Sequence, residues 1–226
     1  MDPLCAAQPS ADGLLGRWLS PASLARFREQ HWRRAPFASA GTACSEIASC
    51  TWARLDAFLR DRPAPDTLVI TRGKLVDCPC PTSLPELELL FERGIGIVLR
   101  HAERHGDELA HVSARLQQDI PGEQRVLVFA TPRGVHGFGW HYDAEEVFII
   151  QTEGDKEYFF RRNTIDPEPQ RGFQPDFSQV HRETSPIMSC RLLPGDWLYL
   201  PRGYWHVARP GDHSLSISIG IFPTSP

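Results

Sequence analysis

The spacing of apolar positions changes character near residue 122. Before that point it follows helical periods. Ser20-Pro21 reads as an N-cap with proline at the first helical position, and Leu24, Phe27 and Trp32 continue an apolar face up to Pro36. Trp52, Leu55, Phe58 and Leu59 share one face of a helix predicted over 51–59, which Pro63 and Pro65 end. A short helix is predicted over 85–93, stopped by Gly94. Leu109, Val112, Leu116 and Ile120 follow helical steps after a capping Asp107, until Pro121-Gly122 breaks them. Two β-branched runs, 67–71 and 95–99, predict strands within this first part.

Beyond residue 122 the pattern is that of short strands: 125–131, 138–143, 146–152, 156–161, 188–193, 197–200, 204–208 and 214–222. Glu153-Gly154-Asp155 and Pro194-Gly195-Asp196 supply turn chemistry between them. Many short strands with regular turns predict a mainly β sandwich or barrel. Residues 163–186 are polar and proline-rich and read as a long insertion or lid. The expected organisation is a helical N-terminal extension over 1–66 packing on a barrel over 67–226.

Composition narrows the picture. With 41% hydrophobic and 23% charged residues the chain is neither disordered nor a coiled coil. A net charge of −4 gives no footprint for nucleic acid, and the pairs Arg33-Arg34 and Arg161-Arg162 are too small to supply one. No apolar run is long enough for a membrane span, and Met1 to Ser20 lacks the basic start and apolar stretch of a secretory signal. A cytoplasmic protein with reduced thiols is therefore expected. The Cys78-Pro-Cys80-Pro stretch reads as a loop, with a zinc site as the alternative.

The chemistry concentrates in two motifs. On a strand His141 and Asp143 would share a face, with Phe138, Trp140 and Tyr142 on the other. Imidazole with carboxylate suits Fe(II), Mn(II) or Zn(II). The second motif, Gly195 to His206, places a glycine, an apolar strand, a Pro-x-Gly turn and then a histidine. His141, Asp143 and His206 together make two histidines and one carboxylate, a set that leaves positions open on a non-haem Fe(II) ion for a cosubstrate and O2.

Residues 195–206 resemble the second cupin motif. HYDAEEVFIIQTEGDKEYFF at 141–160 resembles the JmjC-type cupin oxygenases, most closely the branch with ribosomal-protein hydroxylases. FREQHWRRAPF (27–37) and FERGIGIVLRHAERHGDEL (91–109) extend the resemblance upstream. It implies a double-stranded β-helix, the cupin or jelly-roll barrel, using Fe(II), 2-oxoglutarate and O2. It also implies that His141, Asp143 and His206 bind iron and that Lys156 pairs with the distal carboxylate of 2-oxoglutarate. An ordinary hairpin lysine is the alternative for Lys156. Ser216 and Ser218 would touch the cosubstrate, or else face water with Ser214. Phe129 stands where such enzymes often place a tyrosine, so Thr131 or a serine would donate in its stead. His136, Arg133, Tyr158 and Trp205 are the candidates for substrate contact, with Arg202 and Tyr204 near the same mouth.

The resemblance implies hydroxylation of a side chain in a peptide or protein. The same chemistry on a free amino acid or other small molecule, demethylation, and a non-catalytic metal- or sugar-binding cupin are the alternatives. The chain ends at Pro226, just after the barrel, so the dimerisation and winged-helix modules of ribosomal relatives have no residues here. On this reading a ribosomal substrate does not simply transfer, and the oligomeric state is left open.

Overall fold

The computed structural model describes residues 13–61, 66–173 and 176–223. Pro63, Pro65, the start of the expected 1–66 extension and the chain end at Pro226 lie outside the described residues. The strands are β1 (Phe37–Ser39), β2 (Thr67–Thr71), β3 (Lys74–Leu75), β4 (Gly96–Leu99), β5 (Gly122–Thr131), β6 (Glu146–Glu153), β7 (Lys156–Arg161), β8 (Met188–Leu192), β9 (Trp197–Leu200), β10 (Trp205–Pro210) and β11 (Ser214–Pro223). They form one sheet in the order β1-β9-β6-β11-β5-β4-β2-β3 and a smaller one in the order β10-β7-β8. Every pairing is antiparallel. The two sheets face each other as a jelly-roll barrel, with helices on the outside of the larger sheet.

The alternation along β11 explains this layering. Leu215, Ile217, Ile219 and Ile221 are fully buried and belong to the main apolar core, which lies between the larger sheet and the helices. Ser214, Ser216, Ser218 and Gly220 project to the other face, into the barrel. Small and polar side chains there leave room between the sheets. Within the barrel Val147, Ile149, Tyr158, Phe160 and Leu192 pack with Leu198 and Leu200 as a second, smaller apolar cluster.

The helices run Leu14–Trp18, Pro21–Arg26, Trp52–Asp61, Leu84–Glu92 and Asp107–Asp119. Ser20 caps the second of these through its side chain, which accepts from the Ser23 N–H. Phe27, Trp32 and Trp18 from this region meet Trp197, Phe148 and Tyr199 of the larger sheet, with Trp18 and Trp197 centroids 5.1 Å apart. That aromatic layer fastens the N-terminal segment to the barrel.

Three expectations need correction. Residues 138–143 are not a strand: His141 alone bridges to His206. The other backbone groups bond elsewhere, since His136 and Gly137 carbonyls accept from Arg72 and Gly73 and the Asp143 carbonyl accepts from Gly203. The N-terminal region is not wholly helical, because β1 pairs with β9 and extends the larger sheet. Asp107 is the first helical residue rather than the cap, a position held by Gly106.

Buried Asp119 holds the first helix by its start. Its Oδ2 accepts from the Leu15 N–H at 2.7 Å, and a Cβ on Gly13 would sit 2.3 Å from its Oδ1. Asp119→Ala strands that N–H and is expected to lower unfolding free energy by about 1–2 kcal/mol in a denaturant titration. Burial pushes the Asp119 carboxyl up to about 6. The folded state therefore binds the proton more tightly, and stability falls as pH rises from the ordinary aspartate range to about 6. Asp119→Asn, which keeps an acceptor, removes that slope.

Candidate metal centre and cavity

β10 brings His206 to the barrel interior in register with Phe160, with Ala208 and Tyr158 the next inward pair. The bridge between His141 and His206, with N–H···O contacts of 3.1 and 2.8 Å, sets the two imidazoles side by side. Their ring centroids are 4.1 Å apart, and His206 Nε2 lies 3.6 Å from Asp143 Oδ2. One ligating atom from each of His141, Asp143 and His206 falls within 4.8 Å of the others, the one such group of three among the described residues.

The rings are held in a ligand-ready form. His141 Nδ1 is 2.8 Å from the Gly139 carbonyl and His206 Nδ1 is 3.0 Å from the Tyr204 carbonyl. A carbonyl only accepts, so each Nδ1 carries hydrogen and each Nε2 is the atom turned toward the shared site. Burial, and then the neighbouring His141, push His206 down to about 4, which leaves it a neutral imidazole at physiological pH. Two imidazoles and one carboxyl group, oriented by the backbone around them, fit a divalent first-row metal with open positions.

This group lines a cavity of about 340 Å³ that runs between the sheets. Lys156 reaches the same cavity from β7, nine-tenths or more buried, with Nζ 3.0 Å from the Ser216 hydroxyl and 5.4 Å from the Phe129 ring centroid. Among the described residues it has no carboxylate within ion-pair reach, and burial pushes its ammonium down to about 7. Tyr158 hydrogen-bonds Ser216 and lies at the same end. Thr131, Ser216 and Ser218 also line the cavity; Ser216 is buried and Ser218 half-buried, so the water-facing alternative does not hold for Ser216.

Other expected residues are placed elsewhere. Trp205 alternates with His206 on β10, so it points away from the cavity. It packs on Tyr142 at 4.5 Å and donates to Glu183 at 3.1 Å. Arg133 is exposed and paired with Asp212 at 2.9 Å. Arg202 and Tyr204 contact Glu168 and the Arg34 carbonyl. His136 does not reach the cavity wall. Phe138, expected opposite His141, lines the cavity with it at 5.5 Å between rings, because the segment lacks strand alternation.

Two lining residues were absent from the sequence reading. Phe177, from the 163–186 insertion, stands at the mouth with its ring 6.3 Å from His141. Glu145 lies two residues before Val147 and four before Ile149, both inward-facing, and continuing that alternation backwards would have found it. Burial, and then the charge on Asp143, push Glu145 up to about 7. The insertion is fastened to the barrel by Arg171, bidentate to Glu123 at 2.7 Å and stacked over Phe222, and by Asp166, which accepts from Tyr142 at 3.0 Å.

Among known proteins, ribosomal oxygenase 1 of Gallus gallus is 28% identical over 223 residues, covering 92% of this chain and 36% of its own length. The bifunctional lysine-specific demethylase and histidyl-hydroxylase NO66 of Drosophila pseudoobscura pseudoobscura is 27% identical over 218 residues, covering 92% of this chain and 23% of its own. The chain thus spans well under half the length of these relatives. The structure of YcfD, a ribosomal oxygenase from Escherichia coli, in complex with cobalt and 2-oxoglutarate superposes with a TM-score of 0.64 at 17% identity, over 89% of this chain and 52% of that one. At that identity the likeness is one of fold. The JmjC domain family matches residues 101–225, a span that contains the whole His141, Asp143 and His206 group and Lys156. More than half of the sequence lies within that match, and the chain belongs to the JmjC domain family.

Proposed function

We propose that this chain is an Fe(II)- and 2-oxoglutarate-dependent oxygenase that hydroxylates a side chain of a peptide or protein. The observation that carries the reading is one shared cavity. It presents a His-Asp-His group with free ligating atoms and, further in, a buried lysine without a carboxylate partner. A buried cation is costly unless an anion meets it, and a dicarboxylate reaching in from the metal centre is such an anion. The names of the relatives, which include a histidyl-hydroxylase and a ribosomal oxygenase, support a protein substrate.

His141, Asp143 and His206 would hold the iron. When bound, Fe(II) supplies the redox chemistry that couples decarboxylation of 2-oxoglutarate by O2 to oxidation of a C–H bond. The chain's own contribution is orientation and exclusion of water. The backbone carbonyls of Gly139 and Tyr204 hold the imidazoles, Lys156 and the Ser216 hydroxyl receive the distal carboxylate, and Tyr158 supplies the hydroxyl that Phe129 lacks. Phe138 and Phe177 make the mouth apolar. No helix among the described residues is long and apolar enough to cross a membrane. A cytoplasmic setting belongs to the same proposal, and free thiols such as Cys44, Cys78 and Cys190 suit it.

The test is succinate release with purified protein, Fe(II), 2-oxoglutarate and peptide pools. Release that requires all of them is expected; release that persists without iron would contradict the reading. A pH signature accompanies it. A bound dicarboxylate raises the Lys156 ammonium from about 7 back toward its ordinary value. Binding above pH 7 then draws in a proton, and affinity falls as pH climbs through that window. Calorimetry in buffers of different ionisation enthalpy reads this uptake directly.

A further inference from the structure

Trp205 points away from the cavity, yet it is enclosed and held on two sides. Its indole N–H donates to Glu183 Oε1 at 3.1 Å, and its ring meets Tyr142 at a steep angle with centroids 4.5 Å apart. Both Trp205 and Glu183 are buried. The same carboxylate accepts two further bonds, from the Thr164 N–H and the Thr164 hydroxyl, both at 2.8 Å. Thr164 and Glu183 stand near the two ends of the 163–186 insertion. This one carboxylate therefore closes the base of the insertion and ties it to β10. The Tyr142 hydroxyl, donating to Asp166 at 3.0 Å, fixes the ring on which Trp205 rests.

These contacts bear on the metal group through a short covalent path. The peptide that joins Tyr204 to Trp205 is planar, so its carbonyl turns with the Trp205 backbone. That carbonyl accepts from His206 Nδ1 at 3.0 Å and so sets the direction of His206 Nε2. On the other side of Trp205 is His206 itself, whose backbone bonds both ways with His141. An indole free to change rotamer would let the peptide plane rock, and the imidazole with it. A buried indole N–H needs an acceptor, and a carboxylate is a stronger one than a neutral oxygen.

We propose that Glu183 is a positioning residue for the metal centre: through the indole N–H of Trp205 it fixes the Tyr204 carbonyl and thereby aims His206. This rests on the metal role proposed above for His141, Asp143 and His206. It gives the insertion a task on the outside of the barrel, separate from Phe177 at the mouth. Supports that orient a metal ligand are worth roughly 10–100-fold in metal affinity.

The experiment titrates Co(II) into the metal-free full chain and reads both the dissociation constant and the visible absorption bands of the bound ion. Thermal melts of each metal-free variant run alongside. Glu183→Ala is expected to weaken Co(II) binding by roughly 10-fold or more and to shift the bands. Trp205→Phe keeps a ring against Tyr142 but loses the N–H, and should do the same even if Glu183→Ala is too unstable to purify. Glu183→Gln, which keeps an acceptor oxygen, should hold affinity within about threefold of native. The double variant Glu183→Ala, Trp205→Phe should bind no more weakly than the weaker single one, because both changes break the same bond. Lower melting temperatures with native affinity and native bands in both single variants would overturn the proposal while leaving the oxygenase reading intact. Fully additive losses in the double variant would overturn it as well. Failure of the native chain to bind Co(II) at all would overturn both.

Discussion

His206→Ala is expected to abolish 2-oxoglutarate-dependent turnover while leaving the fold in place. Replacing a group that merely orients a metal ligand costs roughly 10–100-fold in affinity or activity, and removing the ligand itself should exceed that. His206 is buried at 7% exposure, and no other imidazole or carboxylate joins His141 and Asp143 among the described residues. The bridge to residue 141 runs through the backbone and survives the substitution. Thermal stability of the metal-free protein should fall only modestly, since the change removes a neutral buried imidazole and its hydrogen bond to the Tyr204 carbonyl but leaves the backbone bridge. Asp143→Ala should lose activity to the same degree. Succinate release and thermal melts measured side by side check both; activity within tenfold of native in His206→Ala would exclude it as a ligand.

Lys156→Met separates cosubstrate binding from metal binding. The methionine fills similar volume beside Phe129 but offers no cation. Losing a buried charge pair to the distal carboxylate corresponds to about a 100-fold rise in the dissociation constant for 2-oxoglutarate. Unlike most core substitutions, this one should not destabilise the free protein, because it removes an unpaired buried ammonium. Calorimetry with the Mn(II)-loaded protein and a urea titration test the two halves. Unchanged affinity would return Lys156 to the status of an ordinary hairpin lysine.

What was legible in the sequence follows from period. The Ser214-Leu-Ser-Ile-Ser-Ile alternation of β11 gives both a strand and its two environments, and the Ser20-Pro21 start of a helix is plain in local chemistry. The His-x-Asp motif and the distant His206 were legible as ligand types, although the strand reasoning used to align them fails. Phe138 to Asp143 alternates like a strand, yet the backbone of 136–143 bonds to Arg72 and Gly73 through His136 and Gly137, then to His206 through His141 and to Gly203 through Asp143, a tertiary arrangement that local pattern does not encode. β1 was missed because three residues, Phe37 to Ser39, are too few to show a period; their partner β9 lies 160 residues away. Glu145 falls between the strands expected over 138–143 and 146–152, outside the alternation read for either. Trp205 and Arg133 were drawn to the site by proximity in sequence, whereas β10 alternation and the Asp212 ion pair take them elsewhere.

The proposed oxygenase requires the His141, Asp143 and His206 group and Lys156 to serve one reaction in one cavity. The most direct test is turnover under heavy-isotope dioxygen with Fe(II), 2-oxoglutarate and a peptide pool, read by mass spectrometry. One heavy oxygen atom is expected in the succinate and the other in a hydroxylated peptide, both lost in Asp143→Ala. Succinate that carries no heavy oxygen, or that forms equally in the Asp143→Ala variant, would contradict it.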